Sequence, residues 1–523
     1  MTVAVLVPFL VFSGGDAVTR TRLPVETSGG AVLECSACPG EFEAVSALVY
    51  SEVGVEGLTV SASSLRGPTG QRGAFPVDLR VVKWWYQGKI ADLERNHPVE
   101  YSPRRVLTAE LLLKDDALVR VSGGANFLRS TAEDGTDTYL PCSRSTSYGL
   151  ASARPVDAAT LQPVDVPAGT SLEFVVAVRV PDTAVPGAYS GFITFASNAG
   201  AATLPLRVTV RQFRLEPPRL KYSLYYRGRL SEDGEPCIGS DEKSEQQYRA
   251  EIADMRDHGI LYPTNYQSWG PDLRRTLDIR REEGLPTGPF YTLAAGHSPT
   301  EVRNWVRLLR AYGYSDVYFY GADEAEGEAL VAQKADWKAV QAAGGKTFVA
   351  TYSRSKAYEV MGSLLNLAVV SGLPKAETAA AWHSVGSEAF AYLCPQVGVE
   401  RPDVYRRNFG LVLWRSGYDG CMDYAYQHAF HSIWNDFDDR DYRDHVFAYP
   451  TVNGVVGTLA WEGWREAVDD ARYVATLERA IADCEDRALA QQAQRWLDCI
   501  DPQTCDLGET REQMAGWIGR LHA

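Results

Sequence analysis

Apolar positions fall into two textures along the chain, and the change comes near residue 216. From about 15 to 215 they form short β-branched runs: FEAVSALVYSEV (42–53), LTVSAS (58–63), SLEFVVAVRVP (171–181), GAYSGFITFAS (187–197) and ATLPLRVTVRQF (202–213). Turn-forming stretches such as PDTAVPGAY and SNAG separate the later runs. Val, Ile, Phe and Thr suit a pleated, half-buried surface, and Gly, Pro and Asn supply the turns between. Runs of this length with such punctuation predict an N-terminal antiparallel β-sandwich over 1–216. The segment EPPRL, 216–220, marks its end.

Beyond it, extended runs alternate with helical ones. SEQQYRAEIADMRDHG (244–259) spaces Tyr248, Ile252 and Met255 at helical intervals and stops at Gly259. SPTEVRNWVRLLRAYG (298–313) opens with Ser298 as N-cap and Glu301 in capping-box position. Further helices are predicted over 329–344, 356–365, 375–386 and 402–417. Around them lie eight extended runs: KYSLYYRG (221–228), ILYPTNY (260–266), PFYTLAAG (289–296), VYFYGADE (317–324), TFVATY (347–352), LAVVSG (367–372), AFAYLCP (389–395) and GCMDYAYQ (420–427). Eight such β/α units predict a (β/α)8 TIM barrel over 217–460. Amphipathic stretches at 464–481, 487–500 and 510–522 predict a C-terminal helical extension, 461–523, packed on the barrel.

Barrel active sites sit at the C-terminal ends of the strands. The fourth run leads from aromatic residues into two adjacent acids there, Asp323 and Glu324. Two close carboxyls cannot both ionise freely, so one pKa rises and a proton donor is available near neutral pH. Such a donor suits a leaving glycosidic oxygen. Ordinary retaining glycosidases place their two carboxyls about 5–5.5 Å apart across the scissile bond. Neighbouring residues, whose side chains diverge, fit better where the substrate supplies the nucleophile. A 2-acetamido oxygen then attacks C1, Asp323 orients and charge-stabilises the acetamido group, and Glu324 protonates the leaving oxygen and deprotonates water. The competing reading is a solvated helix N-terminus, where DEAEGE is favoured by the macrodipole. Other strand ends add candidate sugar-binding groups: Tyr225, Tyr226, Asn265, Tyr266, His297, Tyr352, Tyr424 and Tyr426, with Trp434 in the loop beyond. They offer an aromatic floor and hydroxyl donors.

Composition allows a carbohydrate partner, although large β-rich proteins also use aromatic residues in their cores. The 12 Trp and 27 Tyr offer ring faces for sugar stacking. The net charge of −15 and pI near 5.1 argue against nucleic acid or an anionic membrane as partner. The apolar start, Val3 to Phe12, is too short to span a bilayer and has no basic residue before it. It reads as a buried first strand rather than a leader, so a cytoplasmic or particle-associated location is expected over a secreted one. The nine Cys are scattered, with one C-x-x-C at Cys35 and Cys38. Cys484, Cys499 and Cys505 are close enough to include a disulfide, or are free thiols in a reducing compartment. WNDFDDRD (434–441) lacks the Gly and distal Glu of an EF-hand and reads as a solvated, helix-capping acidic loop. The mechanism calls for no metal and no other cofactor.

YFYGADEAEGEA (318–329) resembles the Y-G-x-D-E-P stretch of glycoside hydrolase family 123, the β-N-acetylgalactosaminidase-like enzymes. Residues 186–215 resemble the last strands of that family's N-terminal sandwich, and 405–430 its seventh-helix and eighth-strand segment. VNGVVGTLAWEGWREAVDDARYV (452–474) resembles the segment closing its catalytic region, with Ala467 and Val468 where Gly is common. Ala325 stands in place of the usual Pro after the acids. The resemblance implies a retaining, substrate-assisted hexosaminidase acting on a glycan or glycoconjugate. N-acetylgalactosamine is the expected sugar, and Asp323 and Glu324 match the catalytic pair. Two alternatives stay open: a non-catalytic glycan-binding or structural protein of the same architecture, and a glycosidase for a sugar without the acetamido group.

Overall fold

The computed structural model describes residues 10–16, 32–68, 72–73, 75–90, 101–398 and 400–522. In the N-terminal part, strands Leu10–Asp16, Phe42–Ser51, Thr170–Arg179, Val77–Ile90 and Tyr101–Leu113 lie side by side in that order, each pair antiparallel. A second sheet orders Val164–Val166, Val55–Ala62, Gly187–Ser197, Gly200–Val210 and Leu33–Ala37, with two short strands at its side. Alternate residues of both sheets fill one core, including Val45, Ala47 and Val49 from the first and Leu204, Leu206 and Val208 from the second. Phe174 and Phe195 meet edge-on across it at 5.8 Å. All five quoted runs form strands here. The pair Val77–Ile90 and Tyr101–Leu113 and a small sheet of Val119–Ser122, Ala125–Thr131 and Asp137–Pro141 were not expected. Of the apolar start, residues 3–9 lie outside the described residues. Leu10–Asp16 is a strand but sits at a sheet edge, with Leu10 exposed rather than buried.

The second part is built on seven parallel strands: β1 (Lys221–Leu224), β2 (Pro289–Thr292), β3 (Asp316–Tyr320), β4 (Lys346–Thr351), β5 (Leu367–Ser371), β6 (Glu388–Tyr392) and β7 (Gly420–Asp423). Their order is β1–β7–β6–β5–β4–β3–β2. The run ILYPTNY, expected as a further strand, makes only an isolated parallel bridge, Asn265 to Thr292. Pro263 at its centre has no N–H for a ladder. The same segment still bonds to both edge strands. Thr264 N–H donates to Leu224 O (3.1 Å) on β1, and Asn265 N–H donates to Tyr291 O (2.8 Å) on β2. The sheet therefore curls with its two edges joined through main-chain groups of 264–265. Helix Pro271–Glu282, opened by a Pro at its first position, was not foreseen. The helix expected over 329–344 is broken at Gln333 into Gly327–Ala332 and Lys334–Ala342.

The C-terminal helices are Leu459–Asp483, Arg487–Asp498 and Leu507–Leu521. They do not pack on the parallel part alone. Tyr473, Leu477, Met514 and Ile518 share a core with Cys38 and with Phe213 and Leu215 at the end of the β-rich part. Helix Leu459–Asp483 lies so close to Pro402 that a Cβ on Gly463 would sit 2.3 Å from the Pro402 carbonyl oxygen. Its Ala467 faces Gly410, and its Val468 faces Gly259. The acids of its first half, Glu462, Glu466, Asp469 and Asp470, are buried and paired. Asp470 accepts from Arg406 (2.9 and 3.2 Å) and from Arg511 (2.7 Å), and Arg511 also reaches Glu466 (2.6 Å) and Glu43 of the first sheet (3.5 Å).

The WNDFDDRD segment is solvated only at its end, Arg440 and Asp441, and its first four residues are buried. Trp434 is buried against Trp85 and Tyr449 in the β-rich core. Asn435 donates to Arg144 O (2.8 Å), and Asp436 accepts from Gly88 N–H (2.7 Å). Asp436, and Asp438 which accepts from Ser147, are held by partners from the distant N-terminal part, which nearby sequence does not reveal. All nine cysteines are free thiols, those at 484, 499 and 505 included. Among the described residues no helix is long and apolar enough to cross a membrane.

Burial alone raises a carboxyl pKa, but Arg465, His258 and Arg80 around Glu462 outweigh it and hold that group down at about 2. A lowered folded pKa stabilises above the ordinary value of 4.5, and that stabilisation is lost as pH falls from there through about 2. Thermal unfolding of the wild type, followed by circular dichroism, is expected to drop across this window. Glu462→Gln leaves Arg465 buried without its charge partner, costing about 3–5 kcal/mol at neutral pH, and flattens the acid dependence.

Candidate active site

Along β3, alternation sends Val317 and Phe319 toward the helices and Tyr318 toward the inside of the curled sheet. The strand then exits through Gly321, whose N–H donates to Phe348 O (2.9 Å). Helix Lys334–Ala342 crowds this exit. A Cβ on Gly321 would lie 2.6 Å from the Trp337 ring and 2.7 Å from Gln333 Oε1, which itself accepts from Ala322 N–H at 2.7 Å. Any larger residue forces the helix away. Glu324 follows in the left-handed region (φ 48°), with its N–H on Ala350 O (3.1 Å). That conformation costs a non-glycine residue about 1–2 kcal/mol.

The two acids have separate sets of partners. Asp323 Oδ1 accepts from the Tyr320 hydroxyl (2.6 Å), and Tyr320 in turn accepts from the Tyr225 hydroxyl (3.2 Å). Glu324 accepts from Tyr352 on one oxygen and from Tyr392 on the other. Both acids open on a cavity of about 1260 Å³ at the C-terminal ends of the strands. Asp323 remains in contact with solvent, but the cavity walls crowd it. This partial desolvation raises its pKa above the ordinary 3.8, against the Tyr320 bond and with the help of the Glu324 charge.

Arg227 forms a second polar group in the cavity wall. It is held bidentate by Asp241 (2.8 and 3.2 Å), donates to the Tyr424 hydroxyl (3.1 Å) and lies over the Tyr266 ring. Beyond Tyr424 stand His428 and His445, with Phe430 stacked on Tyr442 at 4.9 Å. Burial pushes His428 down to about 3, and neighbouring His445 and Arg227 add to the shift. Burial also pushes His445 down to about 4, against its bond to Val397 O. Both rings are neutral at ordinary pH and serve as hydrogen-bonding walls.

Of the expected site residues, Asp323, Glu324, Tyr225, Tyr266, Tyr352 and Tyr424 line this cavity. Five others are used elsewhere. Tyr226, next to Tyr225, points to the opposite side and donates to buried Glu251 (2.7 Å). Tyr426 is likewise turned outward, onto Asp254 (2.7 Å). Asn265 is buried and donates to Gln267 O (2.9 Å). His297 bonds to the Tyr320 carbonyl (2.8 Å) behind the wall, and Trp434 is the core residue described above. Tyr320, Tyr392, Arg227, His428, His445 and Tyr442 line the cavity but were not singled out from sequence. Tyr392 had a visible signal, since it ends β6 as Tyr352 follows β4. Among the described residues no group of three or more His, Cys, Asp or Glu is arranged to hold a metal ion.

No family model matches the chain, and no curated protein matches it. A solved family 123 glycoside hydrolase from Clostridium perfringens does superpose, with a TM-score of 0.61 at 10% identity, over 98% of this chain and 97% of that one. The chain shares the fold of a family 123 glycoside hydrolase. Looser matches include a β-glucuronidase from Parabacteroides merdae (8% identity, TM-score 0.32, 75% of this chain and 52% of that one). A family 113 β-mannanase from Alicyclobacillus acidocaldarius matches over 49% of this chain and 98% of its own, at 9% identity and a TM-score of 0.30.

Tyr320→Phe removes the bond that favours ionised Asp323. The Asp323 carboxyl, followed by carbon-detected NMR titration, is expected to move further upward in pKa. An unchanged or lowered value would contradict the assigned hydrogen bond.

Proposed function

We propose that this protein is a glycoside hydrolase of the family 123 type, cleaving β-linked 2-acetamido sugars, with N-acetylgalactosamine as the sugar. In this reading residues 1–216 form a sandwich, 217–460 a barrel whose irregular wall is the 260–265 segment, and 461–523 a helical extension packed on both. The observation that carries the proposal is the adjacent acid pair, each member fixed by its own tyrosines at one cavity. The Clostridium perfringens protein of the same fold was analysed for glycolipid glycan hydrolysis.

The reaction runs in two steps. Asp323, steered by Tyr320 and Tyr225, accepts the acetamido N–H and turns the amide oxygen toward C1. That oxygen forms a bond to C1 as the C1–O bond to the leaving group breaks. Glu324, protonated, keeps a phenol contact and gives its proton to the departing oxygen. The oxazolinium ion is stabilised by Asp323 as a carboxylate, the form that the Tyr320 hydrogen bond and the acetamido N–H favour against the desolvation that raises its pKa. Glu324, now ionised and held by Tyr352 and Tyr392, takes a proton from water as that water attacks C1, which restores the acetamido group with retained configuration. Tyr225, Tyr266, Tyr352 and Tyr424 frame the sugar, and Arg227 holds Tyr424 and Tyr266 in place.

An aryl N-acetyl-β-galactosaminide is expected to be cleaved and the matching β-galactoside left intact. A thiazoline mimic of the oxazoline should compete with substrate. Glu324→Gln and Asp323→Asn should each lower kcat by about 10²–10⁴. Full activity in both variants would move the chemistry elsewhere. Binding of N-acetylgalactosamine without any turnover would leave a glycan-binding protein.

A further inference from the structure

The part of the cavity wall made by Arg443 and His445 is backed by buried acids that the proposed chemistry does not use. Four carboxyls, Glu110, Glu400, Asp436 and Asp444, surround one guanidinium, that of Arg443. Glu110 sits on strand Tyr101–Leu113 of the first sheet, Glu400 precedes helix Pro402–Arg407, and the other three groups lie in the loop that ends at His445. Arg443 pairs with Glu400 (2.9 Å) and lies 2.8 Å from Asp436. Asp436 also accepts from Gly88 N–H (2.7 Å) and from Asp444 N–H (3.2 Å). Asp444 accepts from Phe430 N–H (3.1 Å) on one oxygen, and its other oxygen is buried with no partner among the described residues. Glu110 accepts from the Trp85 indole (2.6 Å), the Gln87 amide (2.5 Å) and the Tyr449 hydroxyl (3.0 Å). The next groups bring no positive charge to the cluster. Asp438 is held by Ser147 and Ser432, His445 is neutral, and Arg105 lies over Phe437 and donates to Gly124 O and Ser143 O.

Fully ionised, this cluster would set four negative charges against one positive in a space almost closed to water. Buried charge without a partner is so costly that such groups keep protons instead. Among the described residues no three acids are arranged to hold a metal ion in place of those protons. Burial pushes Asp436 up to about 6, against the Arg443 charge and with that of Glu400. Burial and then Glu400 push Glu110 up, and burial and then Asp436 hold Asp444 well above the carboxylate range. We propose that protons shared among Glu110, Asp436 and Asp444 fasten the loop to the first sheet and so hold Arg443 and His445 in the cavity wall, which makes Glu110, on the N-terminal sheet, a positioning residue for substrate binding. As the protons leave, like charges gather on both sides of the junction and the wall loosens. Raised values mean that the folded protein binds more protons than the unfolded chain. The stability contributed by Asp436 is therefore full below its ordinary 3.8 and lost as pH rises through about 6. The effect on substrate rests on the glycosidase reading above, whereas the proton load does not.

Hydrogen exchange of peptides spanning 430–447, corrected for the intrinsic effect of pH, tests the junction directly. Wild-type protection there is expected to fall about tenfold between about pH 5 and about pH 8. Glu110→Gln and Asp444→Asn, which fix the uncharged form, should each reduce that fall to about threefold or less. With an aryl N-acetyl-β-galactosaminide, wild-type KM should rise over the same range and Glu110→Gln should flatten the rise, while the pH profile of kcat keeps its shape. Wild-type protection that does not change with pH, or variants that lose protection as steeply as the wild type, overturns the inference. A KM flat with pH while protection falls overturns the positioning role. Loss of protection as expected in a protein that turns over no glycoside supports the proton-loaded junction and overturns the glycosidase reading.

Discussion

Asp470 receives two arginines in a buried setting, Arg406 from the helix before β7 and Arg511 from the last helix, and Arg511 extends to Glu43 of the N-terminal sheet. Charges so far from water are tolerated only while each keeps its partner, and removing one partner costs about 3–5 kcal/mol. The network therefore permits one docking of the β-rich part, the parallel sheet and the C-terminal helices. Gly463 belongs to the same constraint, because only a residue without a side chain lets helix Leu459–Asp483 approach Pro402 closely enough. The run WEGWREAVDD is thus a record of three surfaces meeting along one helix.

The acid pair depends on a second crowding contact. Gly321 lets Trp337 press on the exit of β3, and the turn that follows puts Glu324 into the left-handed region. Consecutive carboxyls then diverge, one toward the Tyr320–Tyr225 pair and one toward Tyr352 and Tyr392. Phenols are well suited to this work. They donate to a carboxylate without neutralising its charge, and their rings supply the walls.

Much of this was legible in the chain. The apolar, aromatic run VYFY located β3, and the acids follow the glycine at which that run ends. Ser298 and Glu301 announced their helix, and Ser298 does cap it. What failed was the choice of side. Tyr225 and Tyr226, or Tyr424 and Tyr426, look equivalent in a string, yet one of each pair faces the cavity and the other the helices. Asn265 was read as a strand-end ligand, but Pro263 prevents a strand and turns Asn265 into a brace. Trp434 and Asp436 looked like loop residues because Trp85 and Gly88, which bury them, lie some three hundred and fifty positions earlier.

The same loop has a further meaning. Its Arg443 and His445 wall the cavity, while Asp436, which holds Arg443 at 2.8 Å, is pinned to Gly88 of the N-terminal sheet. The β-rich part is consequently no detachable appendage. The parallel-strand half, cut free near residue 216, would be left with one flank of its own cleft unmoored.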